Sequence, residues 1–158
     1  SHDLVRPTTW IQEEMADEMF ETYAGPFEGI RKILGKNFES YVRIMPHSEY
    51  VSGSGCICQA LMEVTETWLD LNQIGGAGSE GFSVALPTIL AGSSQTEPGE
   101  VPEYDINVVM ESMSQLRDAC GESRLDGGMH FSESVQASYE LCEGVGKLAA
   151  HYGKELMN

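Results

Sequence analysis

Three short segments combine a cation or a hydroxyl with proline or glycine, which are residue types suited to holding a small oxyanion. In chain order they are Arg6-Pro7, Ser52-Gly53-Ser54-Gly55 and Ser123-Arg124-x-x-x-Gly128-x-His130. The middle segment opens a helical pattern, where unpaired backbone N–H groups favour an anion. The two arginines would add the fork geometry that holds a tetrahedral oxyanion. Together the segments predict an oxyanion site.

Each segment also has a purely structural interpretation. A Ser-Gly-Ser-Gly run before a helix is commonly a loop that ends in an N-cap. Arg124 in so acidic a chain can be a salt-bridge partner, and His130 can be a hydrogen-bonded polar residue at the start of a helix. The prediction of a site therefore depends on the three segments occurring together and in this order.

In that order the segments resemble the C-terminal helical core of the vanadium-dependent haloperoxidases and the related type 2 phosphatidic acid phosphatases. The pattern there is a Lys followed after six residues by Arg-Pro, then Pro-Ser-Gly-His, then Ser-Arg-x-x-x-Gly-x-His. Arg6-Pro7 resembles the end of the first motif, residues 46–54 resemble the second, and residues 123–130 match the third. The resemblance covers nearly the whole chain.

The resemblance implies a role for each matching residue. Arg6, Ser52, Gly53 and Arg124 would hold vanadate or phosphate, and His130 would be the metal ligand or, in a phosphatase, the nucleophile. Positive donors would disperse the charge of the bound oxyanion. For either role His130 needs an unprotonated ring nitrogen.

Three positions depart from the pattern. Ser54 replaces the His that acts as acid and base, so it is the second catalytic candidate, but its hydroxyl cannot shuttle protons as an imidazole does. The Lys of the first motif would fall before Ser1, and Ser134 stands where an Asp often orients the last His. His47 is a candidate to replace the lost imidazole. Loss of acid–base help typically costs about 10²–10⁴ in rate, which predicts reduced or no halide oxidation.

Hydrophobic periodicity predicts the elements that position these residues. Helices are expected from Thr8 or Thr9 to about Tyr23, from Pro26 to about Leu34, from the Ser52–Gly55 run to Leu71, from Ile106 to Cys120, and from Phe131 to Ala149. Residues 73–105 are rich in glycine and proline and predict a long loop, with strand alternation only near residues 82–90. We expect an all-α bundle of four to five helices, forming one domain over residues 1–158 that is a fragment or processed part of a longer chain.

Charge limits the partners. The 158 residues include 9 basic and 25 acidic side chains, which gives a formal net charge of −16. This balance argues against nucleic acid, because such binding depends on Lys and Arg neutralising phosphates. No apolar run approaches the ~20 residues of a membrane helix. The expected partners are a small oxyanion and other proteins.

The four cysteines are Cys56, Cys58, Cys120 and Cys142, and they lack the paired spacing of a zinc site. Up to two disulfides are compatible with an oxidising compartment, but we favour ordinary buried thiols. For the location of the protein, the extracellular space or an organelle lumen is favoured over the cytosol.

The leading hypothesis is a haloperoxidase-like helical domain that keeps part of an oxyanion cradle, has reduced or no catalysis, and serves a structural or binding role in a larger assembly. The alternative is an active vanadium-dependent haloperoxidase that oxidises halide with hydrogen peroxide. A phosphatase acting through phospho-His130 is less favoured, because its leaving group would lack an imidazole acid. The remaining alternative is an interaction module without an anion site, docking through residues 73–105.

Overall fold

The polypeptide is arranged in two units, and each unit is built from three separated stretches of sequence. The computed structural model describes residues 4–74 and 83–157. The first unit comprises Ser1–Tyr50, Pro87–Val108 and Leu125–Phe131, and the second comprises Val51–Leu86, Val109–Arg124 and Ser132–Asn158.

The first unit begins with helix α1, Pro7–Glu14, which is preceded by the extended residue Arg6. Pro7 suits the first helical position because its missing N–H would have had no partner there. The next elements are the antiparallel strands β1, Met19–Tyr23, and β2, Ile30–Leu34, paired from Met19↔Leu34 to Tyr23↔Ile30. A 3₁₀ turn, Gly35–Asn37, follows β2.

The hairpin corrects two predicted helices. The helix expected to reach Tyr23 ends at Glu14, and the helix expected over Pro26–Leu34 is a turn followed by β2. Positive φ angles at Gly25, Phe27 and Gly29 reverse the chain, and Ala24 N donates to Gly29 O at 2.9 Å. The four-residue apolar spacing indicated a helix, but strand pairing decided the structure of this segment.

The long loop is held against this hairpin. The backbone N–H of Phe27 donates to Oε1 of Glu97, a side chain that is only 8% exposed, over 3.0 Å. Ile89 and Ile106 form an isolated antiparallel bridge. Within the described part of residues 73–105, the regular structure consists of this bridge and the two-residue strand β3, Val84–Ala85, so the predicted loop is confirmed there.

The second unit is organised around helix α2, Gly53–Leu71. Its other elements are strand β4, Val109–Met110, and helices α3, Met113–Asp126, α4, Ser132–Leu141, and α5, Val145–Leu156. Strand β4 pairs antiparallel with β3. The prediction of a helix from the Ser52–Gly55 run to Leu71 is confirmed.

Two further corrections concern the predicted bounds of helices that contain or adjoin glycine. The single helix predicted over Phe131–Ala149 is broken into α4 and α5 at Gly144, which has a φ of +87°. The helix predicted over Ile106–Cys120 begins at Met113 and continues past Gly121. Gly121 lies inside the helix, where it packs so closely against Tyr139 that a Cβ would collide with the ring hydroxyl.

The start of α5 is held by a buried carboxylate. Glu63 is 2% exposed and accepts hydrogen bonds from Gly144 N at 2.8 Å and Gly146 N at 3.0 Å. Burial by itself would raise the pKa of Glu63, but these two bonds and one from Gln59 outweigh burial and lower it. A Cβ on Gly146 would meet the carbonyl of Ala60, so glycine permits the close approach of α5 to α2.

The cysteines form two disulfides, Cys56–Cys142 and Cys58–Cys120, so the favoured interpretation as free thiols is wrong. Cys56 and Cys58 are two residues apart on α2, which turns their side chains roughly 200° from each other and toward different neighbours. The partners are 86 and 62 residues away in sequence. Sequence proximity therefore offered no guide to the pairing.

The five α-helices of the described ranges confirm the predicted all-α class, with two small sheets added. None of these helices is both long enough and apolar enough to cross a membrane.

Candidate functional site

Arg6 lies at the centre of a polar cluster in the first unit and is only 6% exposed. Nε donates to His47 O at 3.2 Å, and Nη2 donates to His47 Nδ1 at 3.0 Å and Ser48 O at 3.2 Å. Nη1 donates to Met129 O at 2.9 Å and lies 3.0 Å from Nε2 of His130. A guanidinium has five N–H donors. These five contacts therefore give every N–H of Arg6 an acceptor within the protein.

His130 is held between a cation and a carboxylate. Its Nδ1 lies 3.0 Å from Oε1 of Glu49, and Nη1 of Arg6 lies 3.0 Å from its Nε2 and 3.5 Å from its Nδ1. Because a guanidinium can only donate, Nε2 must accept, and the ring proton must lie on Nδ1 and point to Glu49. Burial lowers the pKa of His130, and the Arg6 charge adds to this against the opposing effect of Glu49. The imidazole is therefore neutral near pH 7, with its lone pair on Nε2.

Glu49 is the residue of this polar cluster that sequence reasoning missed. It is 1% exposed, and its Oε1 also accepts from the backbone N–H of Phe131 at 2.9 Å. It orients His130, which is the task that the resemblance gives to an Asp at the position of Ser134. The only sequence signal was its place inside the second motif. Because the chain contains 25 acidic residues, this signal did not distinguish Glu49 from the others.

In the second unit, Ser52 is fully buried and caps α2. Its Oγ accepts from Gly55 N at 3.2 Å, and its own N–H donates to Ser134 O at 3.2 Å. Gly53 is the exposed first residue of α2, and Ser54 is half-buried beside it. The structural interpretation of this run as an N-cap is confirmed, and it leaves the anion-binding role a prediction.

Arg124 lies in the last turn of α3 and is half-buried. Its Nε and Nη2 donate to the hydroxyl of the preceding Ser123 at 3.1 and 3.0 Å. Within residues 4–74 and 83–157 it takes part in no ion pair, so the salt-bridge interpretation finds no support there.

The structure thus brings two predicted site residues together directly, Arg6 and His130. Ser52, Gly53 and Ser54 lie together at the start of α2, and Arg124 lies in the last turn of α3. His47, the candidate substitute for the lost imidazole, is exposed and contacts Arg6. Over the described residues there is no group of three or more His, Cys, Asp or Glu side chains suited to a metal ion.

Comparisons with known proteins agree with this arrangement. Residues 1–158 match the family described as the VCPO second helical-bundle domain. Crystal structures of a bacterial vanadium-dependent chloroperoxidase are similar in fold, with a TM-score of 0.85 for the holo-type and 0.83 for the apo-type, each at 26% sequence identity. No curated protein matches the sequence.

The similarity covers 96% of this chain but only 30% of the holo-type and 31% of the apo-type chloroperoxidase chain. The chain therefore corresponds to less than a third of those enzymes. Because the family match extends over every residue, the chain belongs to the family of VCPO second helical-bundle domains, within the vanadium haloperoxidase-like superfamily.

Proposed function

We propose that the chain is a haloperoxidase-like helical domain that keeps part of an oxyanion cradle, has reduced or no catalysis, and serves as a binding or structural component of a larger protein. One observation carries the proposal. Arg6 directs all five N–H donors at protein acceptors, and one of these is Nε2 of His130. The cation and the imidazole that would share an oxyanion instead bind each other.

The residues nevertheless fit vanadate or phosphate chemically. His130 carries a lone pair on Nε2, and Glu49 holds the opposite nitrogen in the required tautomer. Bound vanadate would supply the oxidation of halide by hydrogen peroxide. An oxyanion would replace Nε2 as the acceptor for Arg6, so that the guanidinium would bond to an anion instead of a neutral imidazole. The resemblance assigns Ser52, Gly53 and Arg124 as further donors to the same oxyanion.

An active vanadium-dependent haloperoxidase is the second candidate. It is favoured by the neutral His130 and its carboxylate partner, which together resemble the oriented ligands of catalytic metal sites. Ser54 is the residue that argues against activity, because a serine hydroxyl does not ionise near neutral pH and cannot shuttle protons as an imidazole does. In this case His47, in contact with Arg6, would supply the missing imidazole.

We also propose that the two units form one domain of a longer protein and that the protein works in an oxidising compartment. The first proposal is supported by the family match over residues 1–158 and by the small share of the chloroperoxidase chain that is covered. The second is supported by the two disulfides, which persist mainly in extracellular or lumenal environments.

Calorimetric titration with orthovanadate, combined with a bromide-oxidation assay on the same samples, tests the proposed function. We expect binding that weakens at least tenfold in Arg124→Gln and His130→Ala. The matched control is Arg31→Gln, which removes an exposed arginine paired with Glu28 and should leave vanadate binding unchanged.

Bromide oxidation should be at least a hundredfold slower than that of a bacterial vanadium-dependent chloroperoxidase assayed alongside. Comparable rates would overturn the proposal in favour of the active enzyme. No vanadate binding would mean that Arg6 and His130 serve packing alone, and the interaction module would be the better explanation.

A further inference from the structure

A pocket of about 540 Å³ lies in the first unit, among lining residues from α1, the β1–β2 hairpin, the segment after it and the long loop. This volume is within the range of about 300–1,000 Å³ that is usual for small-molecule sites. Neither Arg6 nor His130 lines it. The pocket is therefore separate from the residues used in the proposed function.

Two buried hydroxyls of the pocket wall have no hydrogen-bond partner among the described residues. They are Oγ1 of Thr8 and the phenol OH of Tyr23. Thr8 is only 7% exposed, so its hydroxyl is withdrawn from bulk water. Buried hydroxyls almost always have partners, and an unsatisfied one lowers stability. Both residues line the same pocket, so a small movement of either side chain would let a polar group in the pocket supply the missing hydrogen bond.

Part of the remaining wall is aromatic and apolar. The rings of Tyr23 and Tyr41 meet edge to face, with centroids 5.0 Å apart. The hydroxyl of Tyr41 is already bonded to Ser94 Oγ at 3.3 Å. Pro26 and Ile44 add apolar surface. Such walls favour a planar aromatic ligand, because ring faces and edges pack well together.

Charge at the pocket limits the ligand further. Arg43 lines the pocket, is exposed, and belongs to no ion pair over residues 4–74 and 83–157. A guanidinium in this state is suited to a carboxylate. Glu39 lines the same pocket and would repel a second anionic group. The combination favours a ligand with one carboxylate.

We propose that this pocket binds a planar aromatic monocarboxylate that carries a hydroxyl group. Its ring packs against Tyr23, Tyr41 and Pro26, its carboxylate pairs with Arg43, and its hydroxyl bonds to Thr8 and Tyr23. The ligand supplies the hydrogen bonds that the two buried hydroxyls lack within the protein.

Calorimetry on the 158-residue chain with three matched probes tests each contact separately. The probes are para-coumarate, cinnamate, which lacks the hydroxyl, and methyl para-coumarate, which lacks the charge. Thr8→Val and Tyr23→Phe should each weaken para-coumarate about tenfold and leave cinnamate unchanged. Arg43→Gln should weaken para-coumarate and cinnamate about tenfold and leave the methyl ester unchanged, whereas Arg31→Gln should affect none of the three.

The stability of the ligand-free protein gives an independent readout. Thr8→Val removes a hydroxyl without changing the shape of the side chain, so it should leave the thermal midpoint unchanged or raise it by a few degrees. A lower midpoint would show that the hydroxyl serves the fold and would overturn the assignment. The absence of binding by all three probes, or equal losses of cinnamate and para-coumarate in Thr8→Val, would also overturn it.

Discussion

At the scale of single residues, a neutral imidazole separates two buried opposite charges. Arg6 and Glu49 are 6% and 1% exposed, and His130 bonds to both of them. Burial is costly for an isolated charge, so each of these groups depends on its partners. The same contacts that stabilise the cluster also set the tautomer of His130, so structure and potential chemistry share the same bonds.

Glu49→Gln tests this dependence. The amide oxygen can still accept from Nδ1 of His130, but the Arg6 cation loses its buried counter-charge. We expect the free energy of unfolding to fall by roughly 3–5 kcal/mol, as when a buried ion pair is broken. Urea unfolding followed by circular dichroism measures the change. The control is Glu28→Gln, which removes an exposed carboxylate and should cost less than about 1 kcal/mol. Equal costs for the two variants would contradict the role assigned to Glu49.

At the scale of elements, α2 organises the second unit. Ser52 caps its first turn, its cysteines form both disulfides, and Glu63 on it holds the start of α5. Close contact between α2 and α5 requires a glycine where the two backbones approach. The contact of α2 with α5 and the role of Glu63 can each be tested by a single substitution.

Gly146→Ala should destabilise the protein by roughly 1–3 kcal/mol, because the added Cβ would overlap the carbonyl of Ala60 and the side chain of Glu63. Gly153→Ala on the same helix is the matched control. There the new Cβ would lie 3.8 Å from Trp68, an ordinary contact, so better helix propensity should stabilise by roughly 0.5–1 kcal/mol. Thermal unfolding of both variants checks the opposite signs.

Glu63 should make stability depend on acid pH. Its folded-state pKa lies below the ordinary value of 4.5, so the unfolded chain takes up a proton first as the pH falls. The stabilisation is complete well above pH 4.5 and is lost progressively below it. Urea midpoints measured from about pH 7 to pH 3 should fall less steeply in Glu63→Gln than in the wild type. Parallel curves would contradict this assignment.

At the scale of the whole molecule, two disulfides close long loops in a strongly acidic chain. The disulfides span 86 and 62 residues, and the net charge of −16 opposes compaction. Long closed loops remove entropy from the unfolded chain and so favour the folded state.

The paired substitution Cys56→Ser with Cys142→Ser should therefore lower the free energy of unfolding by about 4 kcal/mol. Urea unfolding in the absence of reductant measures this loss. Reductant should destabilise the wild type by more than the paired substitution does, because it opens both bridges. It should destabilise the double variant by a smaller amount than the wild type, because only Cys58–Cys120 is left to open. A variant as stable as the wild type would show that the loop constraint contributes little.

Local sequence patterns determined much of this protein. They predicted α2, offered an N-cap as the structural interpretation of the Ser-Gly-Ser-Gly run before it, and placed Arg6 and His130 in ordered motifs. These features depend on residues within a few turns of each other or on the motif itself. The periodicity of apolar residues also sufficed for the all-α class, because amphipathic helices must bury one face.

Tertiary structure decided the rest. The β1–β2 hairpin, the break at Gly144, the disulfide pairing and the contact of Glu49 with His130 all depend on partners that are brought near only by folding. Glu49 and His130 are 81 residues apart, and Glu63 and Gly144 are also 81 apart. The role of a buried carboxylate depends on the hydrogen-bond donors that folding places beside it. The residues next to it in sequence do not predict which donors these are.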